Sequence, residues 1–235
     1  MAYELISFDL DGTLVDTAAE IAEAANRALE AHGIGRRPIA EVTLLIGGGT
    51  RELMLKLLAH CFLEQPLLAE RVRPEGVLES MDLHYAITAG SSAVAYSGCE
   101  EALAGLKAHG IRLACVTNKE ILHARRVLEA TGLRRYFDLV IGGDSLAEKK
   151  PHASVLRHVA QALGKSRSAT AHVGDSAIDV AAARNAGVTA WAVPYGYNAG
   201  APIADARPDR IFAGLLSVTQ YVLAGRHCEV LARSL

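Results

Sequence analysis

The sequence has no cluster of basic residues, no long apolar run and no closely spaced cysteines, and each absence removes a class of function. Twenty-four Lys and Arg against 26 Asp and Glu leave a net charge of −2. No positive field therefore points to nucleic acid or to a membrane surface as partner. No apolar stretch approaches the roughly 20 residues that a bilayer-spanning helix needs. The opening MAYELISF lacks a basic region ahead of a long apolar core, so it reads as a first strand rather than a signal peptide. The four cysteines, Cys61, Cys99, Cys115 and Cys228, are scattered and form no CxxC. Cys228 has His227 beside it, but one pair is not a metal site. Idle thiols of a reducing cytoplasm are the expectation. Internal repeats and low-complexity segments are absent too. What is left is a globular chain of 235 residues, 51% hydrophobic, long enough for one large domain or two small ones.

One stretch organises the rest: Leu5-Ile6-Ser7-Phe8-Asp9-Leu10-Asp11-Gly12-Thr13. The apolar run predicts a buried strand that ends in two carboxylates one residue apart. Two acids at the mouth of a buried strand are costly unless neutralised. A divalent cation is the simplest neutraliser, because hard cations prefer oxygen ligands. An acidic turn is the plain alternative. A helix-loop-helix calcium site does not fit, since Gly12 follows the second acid directly.

Past this stretch, helical periodicity is expected from about Ala18 to His32, with Thr17 as a cap, then from Pro38 through Leu45, from Thr50 to Cys61, and in one or two helices between Gln65 and Ile87. From Gly98 onward the pattern alternates. Strands are expected at Ile111–Val116, Leu139–Ile141, Ala169–Val173 and Val188–Val193. Helices are expected at Glu100–Ala108, Glu120–Thr131, Pro151–Leu163 and Ala177–Ala186. Alternating strands and helices imply a parallel sheet covered on both faces. The fold class is therefore α/β, a doubly wound, Rossmann-like core from residues 1–16 and 90–235, with an all-helical cap domain, 17–89, inserted between. The tail after Gly225 carries no signal.

Ligands bind beyond the carboxyl ends of the strands in such sheets. Those ends deliver Asp9 and Asp11; Thr117, Asn118 and Lys119; and Gly174, Asp175 and Ser176, with Asp179 one turn on. Lys149-Lys150-Pro151 precedes a helix. Helix caps and solvated charges would explain each group singly. Their convergence on one edge favours one active site.

FDLDGTL, VTN, KP and GDSAID together resemble the four motifs of the haloacid dehalogenase superfamily, in the right order. IGGGTRELM, IGGDSLAEKKPH and VPYGYN are similar to segments of its phosphoglycolate phosphatase group. Ala153 and Ser97 depart from that group, where proline is usual. The resemblance implies a Mg²⁺-dependent phosphomonoester hydrolase for a small phosphorylated metabolite, 2-phosphoglycolate foremost. It implies Asp9 as nucleophile, Asp11 as general acid and then base, and Mg²⁺ held by Asp9, the Asp11 backbone carbonyl and Asp175. Asp179 would stand behind these ligands, holding a metal-bound water or orienting its neighbours. Thr117, the Asn118 backbone and Lys150 would take the phosphoryl oxygens. The Gly47–Gly49 run lacks the G-K-[ST] of a Walker loop. By resemblance, Gly48, Gly49 and Arg51 would serve substrate choice, Arg51 by pairing with a second anion. His84, His109, His123, His152, His158 and His172 show no ligand spacing and read as structural or exposed. Alternatives are a phosphatase for a sugar phosphate, nucleotide monophosphate or pyrophosphate, a phosphomutase, or an idle binding relative; the intact set Asp9, Asp11, Lys150 and Asp175 speaks against the last.

Overall fold

The computed structural model describes residues 3–233, with side chains through Gly225; the side chains of His227 and Cys228 lie outside the described residues. Six parallel strands form the main sheet: β1 Leu5–Phe8, β4 Arg112–Val116, β5 Leu139–Ile141, β6 Thr170–Gly174, β7 Thr189–Ala192 and β8 Arg210–Ile211. They lie in the order β5-β4-β1-β6-β7-β8. The first strand in sequence is thus interior, with β4 on one side and β6 on the other. A separate antiparallel pair, β2 Val15–Asp16 and β3 Val94–Ala95, joins the two segments that lead into and out of the helical stretch. Two-residue strands are too short for periodicity to announce them, and β8 escaped the sequence reading for the same reason.

The helices are α1 Ala18–Ala31, α2 Ile39–Thr43, α3 Thr50–Glu64, α4 Leu68–Arg71, α5 Pro74–Thr88, α6 Cys99–Ala108, α7 Ile121–Ala130, α8 Ala153–Ala162, α9 Ala177–Ala186 and α10 Leu215–Arg233. Among the described residues, no helix is long and apolar enough to cross a membrane. Helix α8 begins two residues later than expected. Pro151 stays outside it because His152 is the N-cap, its Nδ1 accepting from the Ser154 N–H.

Side-chain alternation divides the buried residues into two layers on the sheet. Ile6, Phe8, Leu113, Cys115, Ala171, Val173 and Trp191 pack toward α6, α7 and α10. Leu5, Ala114, Val116, Ala190 and Ala192 pack toward α8 and α9. A third cluster belongs to α1–α5 and their connections, with Leu29, Leu53, Met54, Leu57, Val77, Met81 and Tyr85 in it. Helices α1 to α5 thus bury their apolar faces on one another, so they can sit over the edge of the sheet as a unit of their own.

Candidate active site

Asp9 follows β1 directly, and its N–H still bonds to Val173 O at 2.9 Å, so it keeps the register of the sheet. The chain then turns tightly. Thr13, Leu14 and Val15 N–H groups all bond to Leu10 O, and Gly12 N–H bonds to Val15 O. Gly12 has φ +82°, and a Cβ there would lie 2.4 Å from Asp175 Oδ2. Only glycine meets both demands. The turn brings Thr13 Oγ1 to donate to Asp175 Oδ1 at 2.7 Å.

Asp175 directly follows β6, the strand beside β1. Its carboxylate, with those of Asp9 and Asp179, offers three oxygens within 4.8 Å of one another. All three residues are buried. Lys150 enters from the segment before α8. Its Nζ is 2.8 Å from Asp9 Oδ1 and 2.7 Å from Asp179 Oδ1. One ammonium cannot balance three buried carboxylates, and the electrostatics say so. Burial pushes Asp9 up to about 7, despite Lys150. Burial, with Asp179 and Asp9 adding repulsion, raises Asp175 well above the carboxylate range. Burial acts on Asp179 as well, but Lys150 and His172 outweigh it and hold Asp179 far below its ordinary value. Lys150 is raised, its burial overcome by Asp179 and Asp9.

Acceptor capacity separates the three acids. Asp179 Oδ1 takes Lys150 and His172 Nε2 (3.2 Å), while Oδ2 takes the Ser176 N–H (3.1 Å) and Oγ (2.5 Å). Its four lone-pair directions are filled. Asp175 accepts from Thr13 and from the Tyr197 N–H, one to each oxygen. Asp9 faces Lys150 alone. Asp9 and Asp175 therefore keep room for a cation, and the all-oxygen donor set suits a hard divalent ion. A metal ion fits here, with Asp179 anchoring the cluster from behind. Ser176 precedes α9 as its N-cap, so the plain reading of that residue also holds.

Asp11 points to other partners. Its Oδ1 accepts from Thr17 Oγ1 at 2.6 Å and lies 2.7 Å from Lys119 Nζ. Thr17 stands at the N-cap of α1 but makes no side-chain cap. The Tyr197 hydroxyl takes over, accepting the Thr17 and Ala18 N–H groups at 3.0 and 3.1 Å and donating to Asp16.

Thr117 and Asn118 follow β4 and are buried. The Asn118 amide donates to Lys150 O (2.9 Å) and Gly47 O (3.1 Å), joining the core to the loop before α3. Lys149 Nζ bonds to Gly48 O. Gly49, at φ +91°, lies so near the core that a Cβ would come 2.8 Å from Asn118 O. The loop is thus seated on the strand ends. A pocket between the layers is lined by Asp9, Asp11, Thr117 and Lys119 below and by Ile21, Ile46 and Leu53 above. Arg51 is exposed, does not line this pocket, and faces the charge of Asp82.

Several residues at the site have no assigned catalytic or binding role from the sequence. His172 is fully buried between Ser7 Oγ (2.9 Å) and Asp179, and burial lowers its pKa. Lys119, Glu20, Tyr85 and Tyr197 each meet the site across long sequence separations. Only Lys119 had a local signal, its place directly after Thr117 and Asn118.

Known proteins resemble this chain over most of its length. Residues 3–187 match the family model of the haloacid dehalogenase-like hydrolases. The plasmid-borne phosphoglycolate phosphatase of Cupriavidus necator is 42% identical over 192 residues, covering 82% of this chain and 81% of that one. The phosphoglycolate phosphatase of Nitrosococcus oceani is 34% identical over 215 residues, covering 92% and 94%. The crystal structure of a predicted phosphoglycolate phosphatase from Haemophilus somnus 129pt superposes with a TM-score of 0.85 at 31% identity, over 93% of this chain and 97% of that one. CbbY from Rhodobacter sphaeroides, in complex with phosphate, shares the fold at a TM-score of 0.74 and 23% identity, over 93% and 96%. With its strand-end acids, its buried lysine and this match over most of its length, the chain belongs to the haloacid dehalogenase-like hydrolases.

Proposed function

We propose that the protein is a Mg²⁺-dependent phosphomonoester hydrolase whose substrate is 2-phosphoglycolate. One observation carries the reading: two aspartates two positions apart have divided partners. Asp9 faces Lys150 and the acidic cluster, while Asp11 faces Thr17 and Lys119. That division matches a nucleophile and a proton carrier. An Asp9 oxygen attacks phosphorus, the bond from phosphorus to the ester oxygen breaks, and Asp11 gives the leaving alkoxide its proton. Asp11 then takes a proton from the water that attacks phosphorus; the bond between phosphorus and the Asp9 oxygen breaks, inorganic phosphate leaves, Asp9 returns as a carboxylate and Asp11 as the acid. Lys150, Thr117 and the Asn118 backbone hold the phosphoryl oxygens, since positioning and charge stabilisation carry most of phosphoryl transfer. Asp9, the Asp11 carbonyl and Asp175 would hold the ion, which offsets repulsion between carboxylate and phosphate. Helices α1–α5 serve as a cap domain that closes over this edge. The names of the curated relatives support phosphoglycolate as substrate.

The test is hydrolysis of 2-phosphoglycolate and a panel of sugar, nucleotide and other small phosphates, with Mg²⁺ and with EDTA. Phosphoglycolate leading the panel, with activity lost in EDTA and in Asp9→Asn, supports the reading. Turnover that survives Asp9→Asn removes the covalent route, and a sugar phosphate at the head of the panel replaces the substrate.

A further inference from the structure

Lys119 is the single cation among the residues lining the pocket between the sheet edge and α1–α5. Its side chain is 1% exposed. Three groups surround its ammonium. Asp11 Oδ1 is at 2.7 Å, the Tyr85 hydroxyl accepts a hydrogen bond, and Glu20 Oε1 stands at 4.0 Å, beyond hydrogen-bond reach. Glu20 comes from α1 and Tyr85 from α5, and both are buried. An ammonium has three N–H donors. Asp11 and Tyr85 engage two, so one donor remains in a pocket that also exposes Asp9. Glu20 is itself fixed by the rest of the helical layer, its Oε2 accepting from the Gly90 N–H at 2.9 Å.

The other cations near the site are committed elsewhere. Lys150 spans Asp9 and Asp179, Lys149 bonds to Gly48 O, and Arg51 is outside the pocket. Ile21, Ile46 and Leu53 line this pocket together with Lys119 beside Asp9, so the remainder of an ester whose phosphoryl group sat at Asp9 would meet them. Those apolar side chains offer a polar tail nothing, and they strengthen any charge pair formed beside them.

We propose that Lys119 receives the second anionic group of the substrate, a carboxylate on a short tail, and so sets specificity, with Tyr85 and Glu20 as positioning residues for its ammonium. The inference rests on the phosphomonoesterase reading of the site and adds the element that distinguishes a carboxylate-bearing ester from a neutral one. It also makes recognition depend on both layers, because a lysine of the sheet edge is oriented by two helices of the cap.

The experiment compares kcat and KM for 2-phosphoglycolate and for 2-hydroxyethyl phosphate, an ester of the same length with an uncharged tail. Wild type favours phosphoglycolate. Lys119→Met reduces the ratio of the two kcat/KM values by at least ~30-fold, about 2 kcal/mol at 1.4 kcal/mol per factor of ten. The change lies chiefly in KM for phosphoglycolate. Lys119→Arg keeps part of the preference. Tyr85→Phe preserves charge and volume, so it remains informative if Lys119→Met does not fold; it lowers the ratio several-fold, again through KM. Equal loss on both esters in Lys119→Met and Tyr85→Phe overturns the inference, because Lys119 would then serve Asp11 alone. A wild-type enzyme without preference for the charged tail overturns it as well, while leaving the phosphatase reading intact. Failure of wild type to hydrolyse any phosphomonoester overturns both.

Discussion

The hydroxyl of Thr17 donates to Asp11 Oδ1 at 2.6 Å instead of capping the helix that it precedes. The first residue before α1 is thereby tied to the strand-end edge of the sheet rather than to its own helix, and the position of Asp11 depends on where α1 begins. A hydrogen bond to a charged group is worth about 1.5–3 kcal/mol. Thr17→Val keeps the shape and removes the bond. We expect kcat to fall about tenfold or more with KM little changed, measured by steady-state hydrolysis. An unaltered kcat would show that Asp11 is oriented without Thr17.

Tyr197 supplies the cap that Thr17 withholds. Its hydroxyl takes two backbone N–H groups at the start of α1 and donates to Asp16, in the short β2–β3 pairing next to it. Loss of a helix cap costs about 0.5–2 kcal/mol. Tyr197→Phe should lower stability by about that amount in urea unfolding at unchanged m-value. Stability equal to wild type would mean that water replaces the hydroxyl at no cost.

Lys150 is the one ammonium between Asp9 and Asp179, and all three are buried. Removing one partner of a buried ion pair costs roughly 3–5 kcal/mol, because the remaining charge is stranded. Lys150→Met is expected to lose both turnover and several kcal/mol of stability in the metal-free state. Added Mg²⁺ should restore a share of the stability but not the turnover. Full stability without metal would contradict the charge balance described for the cluster.

A metal held by the raised acids would bind in a pH-dependent way. Asp9 sits near 7 in the folded protein against an ordinary 3.8, because it is buried. Between those values the folded chain holds a proton that the unfolded chain has lost, so its contribution to stability falls as pH rises through this window. Asp175 is raised in the same direction. A cation must displace such protons, so its affinity grows with pH. Thermal melts with Mg²⁺ and with EDTA should show a larger gain in Tm from the metal at pH 8 than at pH 6. A gain that is constant or shrinks across that range would refute the assignment of raised carboxyl groups to the metal site.

Much of this was legible in the chain. Short apolar runs closed by polar residues announced β1 and β4, and the alternation of strands with helices announced β6. Parallel strands present their carboxyl ends on one edge, so Asp9, Thr117 and Asp175 had to stand near one another once those strands were neighbours. Helix ends were less legible: Pro151 looked like a first-turn residue, but His152 caps α8 two positions before Ser154. The two-residue strands β2 and β3 left no periodic trace at all.

Sequence alone determined the alternation of strands and helices, the helical composition of residues 18–88 and the set of polar residues at the strand ends, because periodicity and turn chemistry are local properties. It could not decide which acid meets which cation. Tertiary structure decided that Asp9 faces Lys150 and Asp11 faces Lys119, that Asp179 is saturated by donors while Asp175 is not, and that Glu20 and Tyr85 close over a lysine from another layer. Apart from the Ser176 and His172 bonds to Asp179, those pairings join residues tens to more than a hundred positions apart. Their physical basis is the packing of one layer on another, which fixes distances to fractions of an ångström and excludes the water that would otherwise screen the charges.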